Sequence, residues 1–273
     1  MMVLRVAFFI LVFQFAVYSF ELPETQNAKL KTFLPDTVIA SFKTNAIAIT
    51  TDHLNNIYLV TRDNTIEKLD MTGNVLRTFS DKRYGTPVLD ASNPMKLVAF
   101  YDDYDVVIIL DNTLSLIASI NLQRPDQLDP ISVVGASGNA LWLYDRDAFR
   151  IKRIDETGAV TMSGDDLSLS GVIGHPVAVI ERGGRVYLSD SSQGIHVFDT
   201  YLNYEKTIPV QGVKYVEVIG QRLYYRVGSV LYDTDVRLFE TTSITLPAEV
   251  RQISIQKDRL FLLYDTHVEV RAL

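Results

Sequence analysis

No cysteine occurs anywhere in the sequence, so neither a disulfide framework nor a thiolate metal site can form. Basic residues are in the minority. Lys and Arg number 26 against 33 Asp and Glu, giving a net charge of −7 and a pI of 5.1, which argues against a nucleic-acid partner because phosphate binding needs a basic surface. No apolar run reaches the about 20 residues of a comfortable membrane span. Nucleotide and hydrolase signatures are also missing: there is no P-loop, no Rossmann glycine pattern and no G-x-S-x-G elbow, and Gly183-Gly184 reads as a hairpin turn. The four histidines (His53, His175, His196, His267) lie too far apart for zinc spacings and read as turn or surface residues. Asp102, Asp103 and Asp105 cluster without the glycine and distal glutamate of a calcium loop. These absences imply no cofactor and no bound metal.

What is present begins with an export leader. Arg5 precedes an apolar run from Val6 to Val17, interrupted at Gln14, and Val17-Tyr18-Ser19 puts a small residue before Phe20. Residues 1–19 fit a secretory signal peptide, with an uncleaved anchor or a buried strand as the other readings. With no cysteine after the run, a lipoprotein anchor is excluded. The expectation is a periplasmic or secreted protein with no transmembrane segment in the mature chain. Residues 20–35 form a polar lead-in, and TVIASF at 37–42 reads as an isolated strand.

From Ala46 to Ser80 the chain shows four short apolar runs separated by turn residues: AIAIT, IYLVT, TIEKLD and VLRTF. Runs this short, bounded by Asn, Asp and Gly, predict antiparallel strands joined by hairpins, since a helix needs a period of about 3.6 over a longer stretch. The plan recurs at 88–122, 131–163, 177–210, 213–247 and 250–273, with starts 42, 43, 46, 36 and 37 residues apart. Each copy carries an aromatic in its second strand (Tyr58, Phe100, Trp142, Tyr187, Tyr224, Phe261), and an Asp is expected at the third strand's exit (Asp70, Asp111, Asp155, Asp199, Asp233). A repeat of about 40 residues with four strands per copy predicts an all-β, six-bladed β-propeller over residues 36–273. The sixth copy stops after its third strand. Residues 37–42 are expected to supply the fourth, closing the ring and covering a sheet edge. A β-sandwich would explain neither the spacing nor the short last copy.

The wording DHLNNIYLV, DNTIEKLD and TGNVLRTF resembles the six-bladed propellers related to the TolB and NHL groups, over essentially all of residues 36–273. The phrases LDNTLSLI and LYDRDAFRIKRID resemble propeller proteins of the Bacteroidetes cell envelope. That resemblance implies a role beside an outer-membrane secretion complex, such as the plug-like partner of the type IX translocon. No copy pairs Gly-His with Trp-Asp, so the WD40 group is not indicated.

Loops between second and third strands share one face of a propeller with the inter-blade loops, and here those loops are the longer ones. The expectation is a monomeric, non-catalytic interaction module that binds another protein of the cell envelope through this face. The candidate contact residues are Arg62, Asp102, Tyr104, Tyr144, Arg146, Asp190 and Arg226, of types frequent at interface hot spots or in tight turns. The alternative is a metal-dependent, lactonase-like hydrolase using the inner-strand acids Asp90, Glu181 and Glu217. Such acids also serve to satisfy polar neighbours. Trp142 is expected to pack between blades rather than to meet a sugar.

Overall fold

A computed structural model describes residues 29–30, 37–123, 129–135, 140–169, 175–238 and 240–273, with backbone alone for 29–30 and 130–135. Six antiparallel sheets follow one another along the chain. Blade 1 comprises Ala46–Thr51, Ile57–Thr61, Ile66–Leu69 and Val75–Phe79. Blade 2 comprises Val88–Asn93, Lys96–Tyr101, Val106–Asp111 and Leu116–Asn121. Blade 3 is built from Pro130–Gly135, Ala140–Asp145, Arg150–Asp155 and Val160–Ser163. Blade 4 has Pro176–Arg182, Arg185–Asp190, Gly194–Asp199 and Tyr204–Ile208. Blade 5 has Val213–Ile219, Arg222–Val227, Val230–Asp235 and Thr241–Thr245. Blade 6 takes Gln252–Gln256, Arg259–Leu263 and His267–Ala272 from the C-terminus.

Its fourth strand is Val38–Lys43, which pairs antiparallel with His267–Ala272 so that Phe42 faces Val268 and Ala40 faces Val270. The first strands touch their neighbours in turn around the ring, and that of blade 6 returns to that of blade 1. The six-bladed propeller closed by a strand from before the first repeat is therefore what the chain forms. The expected strand at 37–42 is shifted by one residue. One pairing was not expected: Lys29–Leu30, inside the polar lead-in, lies parallel to Thr242–Ser243 on the outer edge of blade 5. The proposed signal peptide falls outside the described residues. Among the described residues no helix is long and apolar enough to cross a membrane.

The repeat folds locally through its aspartates. At the third-strand exit of blade 1, the Asp70 carboxylate accepts the backbone N–H of Thr72 and of Asn74, at 2.8 and 3.0 Å. Asp111, Asp155 and Asp199 make the same turn in blades 2 to 4. Such turns bend the backbone through a left-handed residue, occupied by Gly73, Leu114, Gly158 and Leu202 in the four blades. Blade 5 departs from the expectation. There Asp235 caps the turn, accepting from Arg237 and Leu238, whereas Asp233 pairs with Arg222 at 2.6 Å.

Between blades lie separate apolar clusters rather than one continuous core. The second-strand aromatics are all buried in them, as the repeat required. Trp142, 1% exposed, donates its indole N–H to Glu181 on the first strand of blade 4 at 2.6 Å, stapling blade 3 to blade 4. The closing seam joins Phe42 and Ala40 to a cluster shared by blades 6 and 1, with Phe42 lying over the turn at Gly73. Nearer the axis, Ile49 donates its N–H to Gln252 at 2.8 Å and the Thr51 and Ser254 hydroxyls meet at 2.7 Å.

Candidate functional site

On the face carrying the loops between second and third strands, a set of exposed polar residues comes together over blades 1 to 3. The loop from blade 1 to blade 2 is tied to the turn of blade 1 by the Thr86 hydroxyl, which donates to Asn64 at 2.6 Å. This bond brings the loop beside exposed Arg62. Within the same loop Arg83 grips Asp81 through two nitrogens at 2.9 and 2.6 Å and sits 5.2 Å from the Tyr84 ring centre. Tyr84 in turn meets buried Tyr101 at 5.0 Å and exposed Tyr104 edge-on at 5.3 Å. Tyr104, half exposed at 50%, closes a single 3-10 turn, Asp102–Tyr104.

Arg146, on the adjoining turn of blade 3, holds Asp129 in a two-pronged bond at 2.6 and 3.1 Å, with Asp102 3.8 Å away. The bond to Asp129 raises the guanidinium pKa, so Arg146 stays charged under any physiological condition. Asp105, below the turn, accepts from Gln123 at 2.5 Å, and its burial lifts the carboxyl above the usual carboxylate range. The result is a platform of one exposed phenol ring, Tyr104, backed by the partly buried ring of Tyr84 and flanked by alternating charges. Fixed aromatic and Arg side chains lose little freedom on contact, which is why they make effective anchors.

Of the seven candidates from the sequence, Asp102, Tyr104 and Arg146 come together here, and Arg62 stands at the edge. Three do not fit a contact surface. Tyr144 is 3% exposed and belongs to the cluster between blades 3 and 4, because Ala140–Asp145 is buried on both faces and alternation puts its ring on the same side as Trp142. Asp190 is fully buried and accepts the N–H groups of Ser192 and Gln193, so it shapes a turn. Arg226 donates to the carbonyl oxygens of Gly228, Arg251 and Val250, which makes it a clamp on the loop into blade 6. Tyr84 and Arg83 were missed as candidates. The only hint was an aromatic beside a basic residue in a Gly/Pro loop, a weak signal.

The channel acids occupy separate roles. Asp90 accepts from the N–H and hydroxyl of Ser92, Glu181 accepts from Trp142, and Glu217 takes a two-pronged bond from Arg182 at 2.6 and 3.2 Å. Arg182 also approaches Asp90 at 3.9 Å, so one guanidinium sits between acids of blades 2 and 5. A cation placed there would meet this fixed positive charge. Among the described residues no three His, Cys, Asp or Glu side chains come together to hold a metal. One histidine corrects the expectation of surface positions: His196 is a buried strand residue, its Nδ1 bonded to the Thr207 hydroxyl at 2.7 Å, and burial lowers its pKa.

The opposite face and its rim carry a different feature. The fourth strands of blades 6, 1 and 2 each open with two exposed apolar residues, Val38-Ile39, Val75-Leu76 and Leu116-Ile117.

No protein-family model matches this chain, and no curated protein matches its sequence. Solved structures do resemble it in fold. Virginiamycin B lyase from Staphylococcus aureus is 13% identical with a TM-score of 0.57, over 84% of this chain and 80% of that one. The WD40 propeller domain of Doa1 is 15% identical with a TM-score of 0.56, over 81% and 77%. BBS1N, crystallised in complex with ARL6DN, is 12% identical with a TM-score of 0.53, over 84% and 78%. At such identities the likeness is one of fold, and propellers of one architecture serve unrelated functions.

Proposed function

We propose that this propeller is a non-catalytic interaction module of the cell envelope, of the TolB/NHL-like type, which docks one protein partner on the face carrying Tyr104. The observation that carries the reading is the platform of Tyr104, Asp102 and Arg146, exposed yet held in place by the partly buried Tyr84 ring and the ion pairs described above. Its occupant is a protein surface offering apolar or aromatic side chains between complementary charges. An outer-membrane secretion complex is the partner that the resemblance to Bacteroidetes envelope propellers suggests. One of the solved propellers similar in fold, BBS1N, was itself crystallised with a protein, ARL6DN.

Export by a cleaved leader belongs to the same proposal. N-terminal sequencing of the mature protein should begin near Phe20 or Glu21, and a chain retaining Met1 would refute it. The hydrolase alternative is addressed by assaying the purified protein on lactones with added calcium. Turnover abolished by Asp90→Asn would replace the docking reading. Substituting Tyr104, Arg146 and Arg62 together by Ala should remove the partner while leaving the thermal melt unchanged. Tyr144 is left intact in that variant because its burial makes it part of the core.

A further inference from the structure

Two inter-blade seams on the hairpin side are closed by basic side chains reaching across. Lys68 of blade 1 donates to the Asn112 carbonyl of blade 2 at 2.7 Å, and Lys96 of blade 2 pairs with Glu156 of blade 3. Between blades 4 and 5 an ion pair of Arg182 with Glu217 crosses the seam near the axis, beside the apolar cluster that the two blades share. Outward of that bond the blades part into a groove of about 300 Å³, at the lower end of the range for small-molecule sites. Tyr187, Ile208 and Val218 are among the apolar residues along it, whereas its mouth carries Arg185, Lys206 and Arg237 against a single lining acid, Glu205.

Arg185 is held by Glu205 within its own blade at 2.7 Å. Arg237 is exposed, its backbone N–H donating to Asp235 and its charge helping to hold that carboxylate low. A concentration of positive charge at the entrance to an apolar slot is conspicuous in a chain of net charge −7. Convergent cations attract a negative head group, and the apolar walls gain free energy only from a ligand that buries hydrocarbon beside it.

We propose that the groove between blades 4 and 5 binds an amphipathic organic monoanion, a carboxylate bearing an apolar chain or ring. The head group meets Arg237, Lys206 and Arg185, and the tail lies against Ile208 and Val218. Glu205 competes with the ligand for Arg185. The site lies on the opposite side of the ring from Tyr104 and does not depend on the docking reading.

Octanoate serves as the probe, titrated into methyl-labelled protein and read by NMR at Ile208 and Val218. Saturable shifts at these methyls are expected, weakened at least tenfold by the double substitution Arg237→Glu and Lys206→Glu. Glu205→Gln is expected to tighten binding several-fold, a gain that misfolding cannot mimic. Octanamide, neutral and of similar size, should bind at least tenfold more weakly. Equal binding of octanamide, or octanoate affinity unmoved in the double variant, would overturn the proposal. So would saturation confined to Ile151 and Leu202, which line the apolar cavity between blades 3 and 4, or no saturation at all.

Discussion

Phe42 and Gly73 sit on either side of the closing seam, and their coupling measures how the ring is fastened. Gly73 adopts φ of +88°, and a Cβ added there would lie 2.3 Å from the Phe42 ring. Gly73→Ala therefore imposes two costs. Left-handed backbone at an L-residue costs about 1 kcal/mol. Displacing the half-buried Phe42 ring forfeits its packing, about 2 kcal/mol given that removing a fully buried Phe side chain costs about 3–5. The single variant should lose about 3 kcal/mol and Phe42→Ala about 2.

In the double variant the clash vanishes but the backbone strain stays. Its loss should then be about 3 kcal/mol rather than the sum of about 5, a coupling of about 2 kcal/mol. Urea unfolding followed by fluorescence reads this cleanly, because the one tryptophan, Trp142, lies in blade 3, away from the seam. If the ring unfolds as a unit, the Trp142 transition moves with each variant. Additive losses would refute the Phe42–Gly73 contact. A Trp142 midpoint unmoved while circular dichroism shows early loss would mean that the end frays alone.

Other perturbations follow from the same contacts. Trp142→Phe takes from buried Glu181 its indole donor and should cost about 2–4 kcal/mol, from the charged hydrogen bond and the lost volume; a loss below 1 kcal/mol in urea unfolding would contradict the staple. Arg182→Met leaves Glu217 without its bidentate partner and should destabilise by about 3 kcal/mol, whereas Glu217→Gln should cost less; equal, small effects in the same assay would show the pair to be idle. Burial depresses the His196 pKa, so its stabilising contribution is complete above the unfolded value near 6.5 and is lost as pH falls through the folded value. Asp70, Asp111, Asp155 and Asp199 are held low by the donors of their turns, and their contribution is lost only below about pH 4. Melting temperature against pH should thus fall in two stages, and His196→Gln should flatten the upper one; an unchanged profile would contradict the assignment.

The architecture was legible because each repeat states its own strands. Short runs such as IYLVT between Asn and Asp turns left no room for helices, and the missing fourth strand of the sixth copy pointed to TVIASF. The site was only partly legible. Tyr144 lies on a strand buried on both faces, yet from sequence the phrase YDRDAF reads equally as a loop. Asp190 and Arg226 use their polar atoms on nearby backbone, which composition alone does not distinguish from a surface offered to a partner. Tyr84 was overlooked because its value comes from ring contacts with Tyr101, at a strand end, and Tyr104, in the turn that follows, both well removed in sequence from its own loop. In blade 5 the capping Asp is Asp235, which lies opposite Arg222 just as Asp111 lies opposite Lys96; Asp233 is two residues earlier, opposite Tyr224, and reaches Arg222 only diagonally.

The docking claim is tested most directly by site-specific photo-crosslinking in the native envelope. A photoreactive residue replacing Tyr104 should capture one partner in stoichiometric yield, and adding Arg62→Ala and Arg146→Ala should abolish that product without altering the melt. The same residue placed at exposed Leu76, on the opposite rim, should capture nothing. Capture through Leu76 with none through Tyr104 would contradict the account.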